Sequence, residues 1–156
     1  MPTSRFSSVL PAAHPLQLDL QLCFALYSTM LGMNKVYRAL LKNLGLTYPQ
    51  YLVMLVLWEQ DKQTVSEVGV RLFLDSPTLT PLLKRLEVAG FVARNRSSAD
   101  ERQVIISLTT AGKRLHERAV AVPGCVAAAL ECAPGEIDAI RTRLTDLRTK
   151  LYKNAG

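Results

Sequence analysis

The sequence predicts a mainly α-helical domain with one small β-hairpin, arranged as a helix-turn-helix followed by a wing. Three observations lead there. Apolar residues recur at steps of three and four through most of the 156 residues, which is the period of amphipathic helices. The exception is a pair of short β-rich runs, "FVARNR" and "QVIISLT", joined by the polar stretch "SSAD" and then Glu101 and Arg102. That pattern reads as a hairpin with a long charged tip. Just before it lie two helical segments separated by a tight turn, the second carrying Thr, Lys and Arg, as a DNA-reading pair does.

The elements follow in order. Residues 16–44 place Leu16, Leu20, Cys23, Leu26, Tyr27, Met30, Met33, Tyr37, Leu40, Leu41 and Leu44 on one helical face, and Gly45 suits the C-terminal stop. "TYPQYLVMLVLWEQ" carries Pro49 in its first turn. It is apolar almost all round, so it should be a buried central helix. "TVSEVGVRLFL" opens on Thr64 and Glu67, the spacing of a capping box. "DSPTLTPLLKRLEVAG" is a fourth helix closed by Gly90. It can start with Ser76 as cap and Pro77 behind it, or with Thr80 as cap and Pro81 behind it. The early start is preferred, with a locally adjusted first turn around Pro81. After the hairpin, Thr109 caps "TAGKRLHERAVAV", and Pro123–Gly124 should break that helix. A short helical piece with Cys125 and Cys132 follows, and "GEIDAIRTRLTDLRTKLY" closes the chain as an amphipathic helix.

Length and charge bound the function. A chain of this size is about one domain, and no apolar run reaches the ~18 residues of a membrane span. The N-terminal "MPTSRFSSVLPAAHP", residues 1–15, has no long apolar block and reads as a flexible arm. Net charge is +6. Residues 84–118 hold eight Lys/Arg, including Lys84, Arg85, Arg94, Arg96 and Arg102, against four acids, which leaves +4 in that segment. Such a cluster suits an anionic polymer. A helix over 76–89 fits the DNA major groove. Ser76, Thr78 and Thr80 at its start are placed to reach base edges or phosphates, and Lys84 and Arg85 to neutralise phosphates. The hairpin tip is placed to reach the neighbouring minor groove, where an inserted Arg reads width and potential. Arg102, two residues after Asp100, is the residue expected there. Three widely spaced cysteines do not make a secreted disulfide framework, and a reducing cytoplasm fits them best.

The stretch "LTPLLKRLEVAGFVARNRSSADERQVIISLTTAGKRL" resembles the signature region of MarR-type winged-helix regulators, with Asp100 and Arg102 as their D-x-R wing pair. The segments "LQLCFALY", "NKVYRALL" and "LTYPQYLVMLVLWE" are similar to the organic hydroperoxide sensor-repressor branch. The resemblance covers roughly residues 16–152. It implies one MarR-type domain. Residues 16–45 and 109–152 would be dimerisation helices, and 49–108 the winged helix-turn-helix. It further implies a homodimer on pseudo-palindromic double-stranded operator DNA, with an organic hydroperoxide as inducer. No metal-ligand spacing appears in the sequence, and neither a cofactor nor enzymatic turnover is expected. The position matching the redox-sensing cysteine is Cys23. Tyr37 and Tyr48 match the tyrosines that hold it, and Tyr27 a further pocket tyrosine. A resolving cysteine is expected after the fifth helix. Both Cys125 and Cys132 are candidates, with Cys125 favoured because it follows the Pro123–Gly124 break. The disulfide is expected to cross between subunits.

The chemistry of the residues agrees with this reading. A peroxide is attacked by a thiolate, and a free Cys has a pKa of ~8.5. Cys23 has no Lys or Arg beside it in sequence. It is expected in mid-helix, away from any helix N-terminus, which leaves hydrogen bonds to the charged form as the means of lowering its pKa, and tyrosine hydroxyls are suitable donors. Oxidation gives a sulfenic acid that condenses with a second thiol. Other readings stay open on the sequence. Cys23 is also consistent with a small buried hydrophobe lining a phenolic-effector pocket. A thiol peroxidase lacks support, since there is no C-x-x-C and neither His14 nor His116 has a partner in sequence.

Overall fold

The computed structural model describes residues 15–156. The arm expected over 1–15, apart from Pro15, lies outside the described residues, as does His14. The chain divides into two units, with the boundary between Lys35 and Val36.

The N-terminal unit is helical. A 3-10 turn, Leu18–Leu20, precedes α1, Leu22–Leu41, whose later residues belong to the second unit. The single helix expected over 16–44 is therefore interrupted at both ends. Gln21 is extended, at φ −86° and ψ 116°. Its side-chain amide donates to the carbonyls of Pro15 and Gln17, at 2.8 and 3.0 Å. That cap ends the short turn before α1 begins. At the other end Lys42–Leu44 tightens into a 3-10 turn, and Gly45 stops it at φ 69°, the left-handed stop that glycine adopts without strain.

The second unit carries the core. Helix α2, Tyr48–Glu59, is its centre, burying Tyr51, Val53, Met54, Val56 and Leu57. Its start is a reciprocal capping box in which Thr47 accepts from the Gln50 N–H and Gln50 accepts from the Thr47 N–H. Helix α3, Val65–Leu72, is capped by Thr64 and Glu67 as expected. Helix α4, Ser76–Val88, packs Leu79, Leu83 and Leu86 inward. It takes the early start, and Pro81 sits inside it, but the cap is Asp75 and not Ser76. The Asp75 carboxylate accepts the Thr78 N–H at 2.8 Å.

Strands β2, Val92–Arg96, and β3, Val104–Leu108, form the hairpin, with Arg94 opposite Ile106 and Arg96 opposite Val104. A third strand was not expected. β1, Gln63–Thr64, pairs antiparallel with β3, giving the order β1-β3-β2. Two residues carry no periodicity that a sequence can display. Gln63 is buried because its amide donates to the carbonyls of Gln60 and Val56 at the end of α2. Helix α5, Thr110–Ala119, is capped by Thr109. Its Gly112 is required by packing, since a Cβ there would lie 2.1 Å from the Phe91 carbonyl oxygen.

The break after α5 differs from expectation. It falls at Val120–Ala121, and Pro123–Gly124 lies in the first turn of α6, Val122–Leu130. Proline in a first turn costs no hydrogen bond, because that N–H has no partner anyway. Cys125 is thus inside a helix and not in a mobile break. Helix α7, Glu136–Asn154, ends the chain and buries no residue.

The capping box of α3 gives a direct stability test. The Thr64 N–H and hydroxyl hold the Glu67 carboxyl below its ordinary range. Thr64→Ala removes the acceptor for the Glu67 N–H and should cost about 1 kcal/mol. A urea transition should show it as a lower midpoint with an unchanged slope.

Candidate nucleic-acid interface and thiol site

The tip of the wing is ordered from within. Ser97 is buried, and its hydroxyl accepts the N–H groups of Ala99 and Asp100 at 3.2 and 3.3 Å. The Ser97 N–H donates to Gln103, and the Gln103 N–H to the Asp100 carbonyl, both at 2.9 Å. This closed turn presents Asp100. Its Oδ1 accepts both the backbone N–H and the Nε–H of Arg102, each at 3.1 Å, and Oδ2 lies 3.5 Å from Nη2. The Arg102 side chain is 91% exposed and that of Asp100 34%. The carboxylate therefore holds one edge of a guanidinium that otherwise faces solvent.

Helix α4 stands beside the wing. Ser76, Thr78, Lys84 and Arg85 are exposed along it. Thr80 is half-buried, and its hydroxyl donates to the Ser76 carbonyl at 2.7 Å. It keeps only its acceptor lone pairs for a partner. Arg96 is exposed on β2. Arg94 is mostly buried, 3.7 Å from Glu87, and its Nε has no hydrogen-bond partner. A cavity of about 280 Å³ opens between the starts of α3 and α4 and the wing. Thr64, Ser66, Ser76, Thr80, Arg94, Arg102 and Gln103 line it. The guanidinium groups of Arg94 and Arg102, the Gln103 amide and the hydroxyls of Ser66 and Ser76 supply donors, and no carboxylate lines it, so its chemistry favours an anion.

Three of the five tyrosines form one cluster. Tyr37 and Tyr48 meet with ring centroids 4.3 Å apart, and Tyr51 packs 5.8 Å from Tyr37. The stack continues through Trp58 to His116, at 6.4 and 5.4 Å. The Trp58 indole N–H donates to the Gly112 carbonyl at 2.9 Å. Tyr51 and Trp58 are additions to the residues expected from sequence, where only their i, i+7 spacing on an apolar helix signals a shared face. Burial pushes the Tyr37 phenol up to about 12, with Tyr48 and Tyr51 adding to the shift. Burial also raises Tyr48 and Tyr51. All three stay protonated, and so remain donors, at neutral pH. Cys23 and Tyr27 belong to the N-terminal unit, one helical turn apart on α1, and both are exposed; Cys23, expected in mid-helix, is the second residue of α1 and lies in its first turn because Gln21 is extended.

The other thiols differ in access. Cys125 is exposed, at the rim of a groove of about 220 Å³ lined by Leu40, Leu44, Arg118 and Val122. Cys132 is half-buried, and its thiol donates to the Leu130 carbonyl at 3.5 Å. All three cysteines are free. Among the described residues no group of three His, Cys, Asp or Glu side chains could hold a metal. No helix among them is long and apolar enough to cross a membrane.

Residues 35–119 match the family model described as transcriptional regulator SarA/Rot. The organic hydroperoxide resistance transcriptional regulator of Bacillus subtilis is 44% identical over 138 residues, 88% of this chain and 94% of that protein. The chain belongs to the SarA/Rot family of MarR-like winged-helix transcriptional regulators. A second relative within the regulators, TtmR of Methylorubrum extorquens, is 48% identical over 91% of this chain and 73% of its own. Among solved structures, reduced AbfR bound to DNA aligns with a TM-score of 0.76 at 39% identity, over 89% of this chain and 95% of that one. AbfR is a Staphylococcus epidermidis protein. Its disulfide-formed structure aligns less closely, with a TM-score of 0.61 at 42% identity over 83% and 91% of the two chains. In this winged helix, α3 and α4 are the helix-turn-helix and β2–β3 the wing.

The raised phenols of this regulator have a testable consequence. A folded-state pKa above the unfolded value means that the unfolded chain loses its proton first as pH rises. The stability contribution is then full below the ordinary tyrosine value and lost toward the folded one. The melting temperature should therefore fall between about pH 10 and 12, and less steeply in Tyr37→Phe. Phenolate absorbance should show Tyr37, Tyr48 and Tyr51 ionising above the ordinary tyrosine value. Ionisation of Tyr37, Tyr48 and Tyr51 at the ordinary value would contradict the tyrosine stack.

Proposed function

We propose that this regulator is a homodimeric repressor that holds operator DNA when reduced and releases it when an organic hydroperoxide oxidises Cys23. The observation that carries the reading is the free, exposed Cys23 thiol on α1 in a chain so similar to an organic hydroperoxide regulator. The phenols of Tyr37 and Tyr48 are protonated donors from the same half of the sequence, suited to stabilise a thiolate. The reaction is two-electron. The Cys23 thiolate attacks the outer peroxide oxygen, the O–O bond breaks, and the leaving alkoxide takes a proton to become an alcohol. The sulfenic acid then condenses with a second thiol, forming S–S and releasing water. Cys125 is the favoured partner because its thiol is exposed, whereas the Cys132 thiol is half-buried and hydrogen-bonded.

Dimerisation is supported by the two long helices. Of the 20 residues of α1 only Leu41 is buried, and α7 buries none of its 19. In proteins most helical stability comes from packing an amphipathic face. On α7, Ile137, Ile140, Leu144, Leu147 and Leu151 recur at alternating steps of three and four, the seam that a second helix covers. A disulfide needs Cα atoms within about 7 Å, so closing one between subunits moves helices and with them the reading heads. DNA contact falls to exposed Ser76, Thr78, Lys84 and Arg85 on α4, to Arg94 and Thr80 in the cavity, and to Arg96 and Arg102 on the wing.

The test is operator release. Operator duplex recovered by selection from a random pool should leave the protein on addition of cumene hydroperoxide and rebind on addition of dithiothreitol. Release by a phenolic carboxylate, with none by the hydroperoxide, would overturn the redox reading.

A further inference from the structure

We propose that Phe73 is a positioning residue for DNA reading: with Arg148 and Tyr152 it clamps the helix-turn-helix to α7. Phe73 is the C-cap of α3, at φ 57° and ψ 35°. This left-handed region is where glycine is usual and a bulky side chain is uncommon. The turn around it is closed. The Leu74 N–H donates to the Gly69 carbonyl at 3.0 Å, and a Cβ on Gly69 would come within 2.7 Å of the Leu74 oxygen. Asp75, two residues on, caps α4. The backbone at Phe73 and the entry of α4 are thus one stiff piece.

A turn of this kind needs no ring, yet the ring has partners. The Tyr152 ring lies 5.1 Å away, centroid to centroid, and the Arg148 guanidinium carbon sits 4.3 Å above the Phe73 ring centre. Residues 148 and 152 are one turn apart on α7. Phe73 is 48% exposed and Tyr152 59%, so this is a surface contact and not a piece of the core. The Arg141–Asp138 ion pair and the hydroxyl hydrogen bonds of Thr142, Thr145 and Thr149 all stay within α7. The Phe73 cluster ties the last turns of that helix to the turn that aims α4.

The role rests on the dimer reading given above. Two half-sites are read about one helical turn apart, ~34–36 Å. The separation of two α4 helices then depends on how each reading head is held to its dimerisation helix. A ring in a strained backbone position, gripped by a cation and a second ring, fixes that angle.

The experiment compares wild type with Phe73→Gly, Phe73→Tyr and Arg148→Ala. Glycine suits the positive φ, so Phe73→Gly should keep its helical content and cooperative melt. Fluorescence anisotropy is read on the selected operator, on versions with one or two base pairs inserted between half-sites, and on a single half-site. Phe73→Gly should lose about tenfold in operator affinity, an ordinary size for coupled elements, and should discriminate less against the inserted spacings. Its single half-site affinity should equal that of wild type. Arg148→Ala should move the same way by less, and Phe73→Tyr should behave as wild type. Unchanged operator affinity and spacing preference in Phe73→Gly would overturn the clamp, and so would an equal loss on operator and half-site. If Phe73→Gly does not fold, the same readings on Arg148→Ala decide. A wild type indifferent to spacing would overturn the dimer reading and the clamp with it.

Discussion

Cys23→Ser should bind operator as tightly as the reduced wild type and stay bound in organic hydroperoxide. Serine is close in size to cysteine, and Cys23 is exposed on α1, so the exchange leaves the core untouched. It removes the sulfur that attacks the peroxide, and a hydroxyl offers no comparable thiolate chemistry. Oxidised wild type should lose about 5–150-fold in affinity, the ordinary range of coupling between two sites. The mutant should lose nothing over the same peroxide range. An anisotropy titration before and after cumene hydroperoxide reads both values. Normal release by Cys23→Ser would mean that the sensor lies elsewhere in the chain.

The second large effect belongs to the wing. Arg102→Ala should cost on the order of 1–3 kcal/mol in operator binding, the scale of a specific contact. It should change the salt dependence by about one unit of slope, since one charge is removed. Asp100→Ala is more informative. It deletes a negative charge near DNA, which simple electrostatics expects to tighten binding. The carboxylate also holds the Arg102 backbone N–H and Nε, each at 3.1 Å, and a planar guanidinium gains by being held in one orientation. The expected result is weaker binding. Tighter binding by Asp100→Ala would reduce Asp100 to a bystander.

The helices were legible wherever a cap or a period announced them. Thr64 with Glu67, Thr109 and Gly45 mark element ends in the sequence and mark them in the structure. The wing pair was legible too, because two residues in one short loop must meet. What escaped depended on contacts distant in sequence or on single hydrogen bonds. β1 exists because Gln63 finds the end of α2 and pairs with Ile106. Asp75 displaced Ser76 as a cap because a carboxylate one residue earlier reaches the Thr78 N–H. Pro123–Gly124 looks like a helix break in the sequence, but the position of Pro123 makes it a helix starter. Cys125 is therefore a candidate by its exposure and not by a mobile backbone. Ser97 looks in the sequence like any residue of a polar loop, yet its buried hydroxyl shapes the tip that presents Asp100. The resemblance groups Tyr37 with Tyr48, but their direct ring contact needs the fold, since 10 residues and the turn at Gly45 separate them.

The measurement that bears most directly on the sensing claim is a mass-spectrometric map of disulfides in the hydroperoxide-treated regulator. Digestion under non-reducing conditions should yield a peptide joining Cys23 to Cys125 or, second, to Cys132. The same cross-link should appear as a reducible dimer on a denaturing gel. Treated protein that has released DNA while Cys23 remains a free thiol would contradict the account.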